Sequence, residues 1–339
     1  MMKDVCSPIK NYLRRKRIMM HIATKTKSNF VHPFGIAITF AVIMVTLIFS
    51  CPASAKAPKQ KTFCSPDAAF KAMVTAMKAN DTRELTAIFG PGGKNIVFSG
   101  DDVADKAGRD NIVKAYGEKN SLEIVNNNKA ILSIGNNDWP LPIPVIKKGN
   151  GWSFDTKTGK EEINRRRIGK NELSAIKTCQ AYVDAQLEYA AGDYDGDGLF
   201  EYAQKFLSTP GRKDGLYWET KAGEPKSPLG ALVAGATREG YLSKEAKSKP
   251  VPFHGYYYRI LKGQGKNAPG GAYSYVVNGK MIGGFALAAY PAQYGNSGVM
   301  TFIVNKDGQV FQKDLGRNTA KIAQEMKTYD PDKTWKKAE

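Results

Sequence analysis

The stretch Gly283–Gly316, GGFALAAYPAQYGNSGVMTFIVNKDGQVFQKDLG, leaves its backbone few choices. Apolar runs at Phe285–Tyr290 and Val299–Val304, with a shorter run at Gln309–Lys313, predict three strands. Asn296-Ser-Gly298 breaks the first pair. Asn305-Lys-Asp-Gly308 predicts a hairpin turn, with Gly where φ must be positive. The rest of the C-terminal half has to pack around this sheet.

The other end of the chain points to a compartment. Arg14-Arg-Lys-Arg17 is basic, Phe34–Phe49 is apolar, and Ala53-Ser-Ala55 is an A-x-A cleavage site. That order predicts a secretory signal over 1–55, cut after Ala55, and a periplasmic chain with no transmembrane segment after cleavage. An alternative reading lipidates Cys51 and tethers the chain to the outer membrane. Residues 1–55 hold eight Lys/Arg and one Asp of the 50 basic and 32 acidic residues. The remainder therefore carries 42 basic and 31 acidic residues, a net +11. Export excludes nucleic acid as a partner, and the charge suits an anionic envelope surface. Two cysteines remain, Cys64 and Cys179, either as a disulfide or as two separate buried thiols.

Two α+β modules are expected. Over 62–158, Ser65-Pro66 starts a helix with Ala69, Phe70, Met73, Val74 and Met77 on one face. Short helices at 82–89 and 110–120 and strands at 122–125 and 130–134 follow. Trp139-Pro-Leu-Pro-Ile-Pro144 must run extended at a sheet edge, because its prolines lack ladder donors. This small helix-plus-antiparallel-sheet domain is similar to the cone of the nuclear-transport-factor type. Gly159–Gly169 is charged and predicts a joint, interrupted at Gly169. Over 171–330, a long helix from Glu172 to Ala191 packs on an antiparallel sheet. It offers two apolar rows: Leu173, Ile176, Val183, Leu187 and Ala190, and Ala175, Cys179, Tyr182, Gln186 and Tyr189. A helical turn is expected at 202–207, and 329–339 is expected to be a polar tail.

Trp139-Pro-Leu-Pro-Ile-Pro144, Arg166-Arg-Ile-Gly169 with Asn171-Glu-Leu173, Phe253-His-Gly-Tyr-Tyr257 and Gly284-Phe-Ala-Leu-Ala-Ala-Tyr-Pro291 together resemble one exported bacterial family, the domain of unknown function 2950. The resemblance covers about 62–335. It implies an envelope protein whose partner is another envelope protein, and it implies no reaction. A long helix, the Asp193–Gly198 turn, the Gly255-Tyr256 strand, the aliphatic run ending Tyr290-Pro291, Tyr294-Gly295, the Ser297–Val304 strand and the Asn305–Gly308 hairpin follow in an order that makes residues 171–316 also resemble the globular heads of type-four pilins. The charged stretch Arg165–Lys170 stands where a polymerising helix would begin, so no filament is implied.

Asp193, Asp195 and Asp197, followed by Gly198, match the start of a calcium loop. The Leu199 carbonyl and Glu201 complete the expected ligand set. Gln204 stands where a bidentate Glu would close it, so affinity is expected at roughly 10⁻⁴–10⁻³ M. The competing reading is a metal-free turn. His254 is the last histidine once 1–55 is removed, which excludes histidine-rich zinc sites. Tyr256, Tyr258, Tyr273, Tyr275, Tyr290 and Tyr294 either line a groove for glycan or peptide or pair within the core. The function these features support is a non-enzymatic binding or assembly factor. The alternatives are a hydrolase dependent on His254 and a calcium-stabilised structural module.

Overall fold

A computed structural model describes residues 59–241 and 251–338. The export signal and Cys51 lie outside the described residues. Lys56–Glu339 form one compact unit, and it has two hydrophobic cores.

The first core begins at α1 (Pro66–Lys78), where Ser65 accepts a bond from the Ala68 N–H and Pro66 needs no donor. Then come α2 (Thr82–Phe89), α3 (Lys94–Val97) and α4 (Asp102–Glu118). The helix expected at 110–120 thus starts a full two turns earlier, because Asp101 caps it by accepting from the Ala104 N–H. These helices cover a sheet of β1 (Asn120–Asn126), β2 (Lys129–Ile134), β4 (Val145–Lys148) and β5 (Gly151–Phe154), antiparallel in that order. β3 (Trp139–Pro140) pairs with β2, and the proline run then leaves the ladder. Phe70 and Phe89 meet Phe154 edge-to-face, each at 5.3 Å.

Helix α5 (Thr156–Tyr189) is continuous for 34 residues, about 50 Å at 1.5 Å per residue. Gly169 does not interrupt it. One stripe at spacings of three and four runs its whole length: Thr156, Gly159, Ile163, Arg167, Asn171, Ala175, Cys179, Tyr182, Gln186 and Tyr189. The lower half of the stripe faces the first core and the upper half faces the second. The row headed by Leu173 is only partly buried: Leu173 and Leu187 are 59% and 50% exposed, whereas Val183 and Ile176 join the second core.

The second core lies between α5 and the sheet β14–β13–β12–β11–β6. Its strands are β6 (Tyr256–Leu261), β11 (Ala286–Pro291), β12 (Met300–Asn305), β13 (Phe311–Asp314) and β14 (Lys336–Lys337). Two small ladders flank it, β7 (Gly263–Gln264) with β8 (Tyr273–Ser274) and β9 (Val276–Val277) with β10 (Lys280–Met281). Helices α6 (Gly230–Glu239) and α7 (Thr319–Glu325) complete the set. The three expected strands form, and Gly308 takes φ 75° in its turn. The helical turn expected at 202–207 does not. Its backbone is claimed by distant partners instead: Tyr202 N–H by the Met281 carbonyl, and both polar groups of Ala203 by Gln186. The tail is also not free, because β14 adds to the sheet and Trp335 packs on the core. Both described cysteines are free thiols, Cys64 exposed and Cys179 buried. Burial pushes the Cys179 thiol up to about 12.

Polar contacts join the cores. Asp101, 1% exposed, accepts from Tyr241 Oη at 2.9 Å and from the Gly255 N–H at 2.8 Å. Arg167 donates to the carbonyls of Asn95 and Ile96, each at 3.0 Å, and to Asn296 Oδ1 at 2.6 Å. Asn171 donates to the Ser297 carbonyl at 2.9 Å.

Candidate functional site

Beneath the lower half of α5 lies a cavity of about 420 Å³, within the size range of small-molecule sites. Its floor is apolar: Met73 and Met77 from α1, Leu85 and Phe89 from α2, and Leu141 and Ile143 from the proline run. The prolines matter locally: the ladder to β2 ends at the bond from the Leu141 N–H to the Leu132 carbonyl, and Leu141 and Ile143 are both buried. Ile112 of α4 and Ile163 of α5 form walls. The mouth is made by exposed residues: Trp139 (43% exposed), Gly108, Arg166 and Lys170.

The charge around this space is predominantly positive. Arg109, Arg166, Arg167 and Lys170 line it against a single carboxylate, Asp105. Burial pushes the Asp105 carboxyl up, while the N–H of Ser99, at 2.7 Å, opposes the shift. Burial pulls the Arg167 guanidinium down from its ordinary range, and Asp105 opposes that. Arg109 spends its donors on neutral acceptors, Asn80 Oδ1 at 2.9 Å and the Val97 carbonyl at 3.4 Å. Arg166 is paired with Glu162 at 2.6 Å and lies 5.1 Å over the Trp139 ring. Sequence reasoning missed this site because its lining comes from six separate segments. The available signals were Arg165-Arg-Arg167 and the proline run, which the fold brings together.

The calcium candidates converge only in part. Carboxylate oxygens of Asp193, Asp195 and Asp197 come within 4.8 Å of one another. The cation they meet is Lys280, whose ammonium contacts Asp195, Asp197 at 2.6 Å and Glu201 at 3.2 Å. Asp193 is turned to the loop backbone, accepting from Gly196 at 2.8 Å and Gly198 at 2.9 Å. The Leu199 N–H donates to Asp197. Gln204 is turned away, to the Gly279 carbonyl and Lys262.

His254 takes φ 50°, contacts Glu239 at 2.6 Å and stacks on Phe253 at 4.0 Å. Among the described residues no serine or cysteine hydrogen-bonds its ring. Of the candidate groove aromatics, Tyr256, Tyr275 and Tyr290 are buried. Tyr257 pairs with Tyr290 across β6 and β11 at 5.7 Å.

The architecture that carries these features is α+β with antiparallel sheets. The family described as Protein of unknown function (DUF2950) matches residues 60–338, and the chain belongs to it. No curated protein and no solved structure matches, so the likeness to pilin heads rests on its sequence motifs alone. Among the described residues no helix is long and apolar enough to cross a membrane.

Proposed function

We propose that this chain is an exported, non-enzymatic binding protein whose ligand occupies the cavity under α5. One observation carries the reading: an apolar space of about 420 Å³ opens at Trp139, Gly108 and Lys170 within a well-packed core. Cores of this kind are otherwise filled to crystal-like density. A binding protein is the use of such a space that asks for no reacting group. The envelope is where its ligand and its protein partner would be met. A hydrolase acting through His254 needs a nucleophile within reach of that ring, which is held by Glu239.

N-phenylnaphthylamine, a neutral apolar dye that brightens in dry surroundings, tests the reading. A Cβ on Gly108 meets nothing within 4 Å, so Gly108→Trp can crowd the mouth without disturbing the core. The parent chain should bind the dye saturably, and Gly108→Trp should lose most of that signal at unchanged Tm. A parent chain that leaves the dye dark, or a variant that binds it equally, contradicts the proposal.

A further inference from the structure

The apolar floor says nothing about the far end of a ligand, but the mouth does. Four cationic side chains and one carboxylate line the space. Asp105 is already engaged by Ser99 and stands against both Arg109 and Arg167. Glu162 is shared between Arg165 and Arg166. Arg167 has its donors fixed by two carbonyls and Asn296. Lys170 remains: it is exposed, lies on α5 at the rim and pairs with no carboxylate among the described residues. Among the described residues Arg109 donates hydrogen bonds only to neutral acceptors, Asn80 and the Val97 carbonyl, and it shares the single carboxylate, Asp105, with Arg167. Cations drawn towards a low-dielectric wall without a full complement of anions favour a ligand that brings one. A cationic ligand meets repulsion here, and a neutral one leaves the excess charge as it is.

We infer that the ligand is an amphiphile, with an apolar chain against Met73, Phe89 and Ile143 and an anionic head at Lys170 and Arg109. The inference rests on the binding reading above and narrows it to a chemical class. A carboxylate and a phosphate head present the same chemistry to these cations, and both occur on single-chain lipids.

Four probes with one common chain separate the possibilities: dodecanoate, dodecyl phosphate, dodecanol and dodecyltrimethylammonium. Each is titrated below its aggregation limit into the full chain by displacement of N-phenylnaphthylamine. One or both anions should bind about tenfold or more tighter than dodecanol, with the ammonium compound weakest. Which anion is tighter identifies the head. Lys170→Gln should weaken the preferred anion about tenfold and leave dodecanol unchanged, and Lys170→Arg should restore the anion. Lys170 is exposed and makes no ion pair among the described residues, so the folded state should tolerate both changes. Equal affinity for dodecanol and both anions, or an unmoved anion affinity in Lys170→Gln, overturns the anionic head while leaving the binding reading in place. Failure of all four probes to displace a bound dye also overturns the inference, whereas failure of the dye itself removes the reading beneath it.

Discussion

Lys280 changes what the acidic loop means. Three aspartates at alternate positions repel one another, and an ion is one remedy. Here the ammonium of a residue on β10 lies against Asp195, Asp197 and Glu201. Those hydrogen bonds, Asp195 first and Asp197 next, raise the pKa of Lys280. Lys280 in turn holds the Asp197 carboxyl below the usual range, and the N–H groups of Gly198 and Gly196 do the same for Asp193. Depressed carboxylates stabilise the fold above their unfolded pKa of about 4. That contribution disappears as pH falls through the lower folded values, so acid should loosen this loop. Calcium is proposed as a competitor of Lys280 for the same oxygens. Lys280→Gln should therefore lower Tm at neutral pH and show a larger difference in Tm between millimolar calcium and EDTA than the parent chain does. An unchanged Tm with no calcium response in Lys280→Gln would show that neither cation matters there. The Asp pattern was legible because it is local. Lys280 was not, since only the β9–β10 ladder brings it to the loop.

Helix α5 was half legible. Its upper half shows two competing apolar rows, and the one headed by Leu173 is split: Leu173 and Leu187 face outward while Ile176 and Val183 join the second core. Its lower half reads as a linker in sequence because the buried stripe becomes polar at Arg167 and Asn171, where the helix passes from one core to the other. Two glycines in this helix should respond oppositely to alanine. Gly169 has nothing within 4 Å of a Cβ, so Gly169→Ala should stabilise by about 1 kcal/mol, the ordinary helix-interior gain. At Gly159 a Cβ would sit 2.5 Å from Ile143 Cγ1 and 2.7 Å from its Cβ. Gly159→Ala should therefore cost about 1–3 kcal/mol through overpacking. Denaturant melts of the two variants check both signs. A destabilising Gly169→Ala would mean that the helix does break there. Strand signals fared better, because Asn305–Gly308 and the runs on either side specify their own turn and register.

For the molecule as a whole, the two cores depend on groups that neither could satisfy alone. Asp101 caps α4 and also takes the Tyr241 hydroxyl and the Gly255 N–H. Removing such an acceptor strands buried donors, at about 1–3 kcal/mol each. Gly255, at φ 77°, lets the chain pass so close that a Cβ would lie 2.4 Å from Asn171 Nδ2. This fixes the loop holding Ser99, Gly100 and Asp101 beside α5, and with it the shape of the cavity. None of these contacts has a sequence signature, because each joins residues far apart in the chain. Methionine methyl resonances provide a direct test of binding in that cavity. Met73 and Met77 line the floor, whereas Met281 and Met300 belong to the second core and serve as internal controls. On titration with N-phenylnaphthylamine, the Met73 and Met77 methyl signals should shift saturably while those of Met281 and Met300 stay in place. Shifts confined to Met281 or Met300, or no methyl shift at saturating dye, would contradict a ligand site beneath α5.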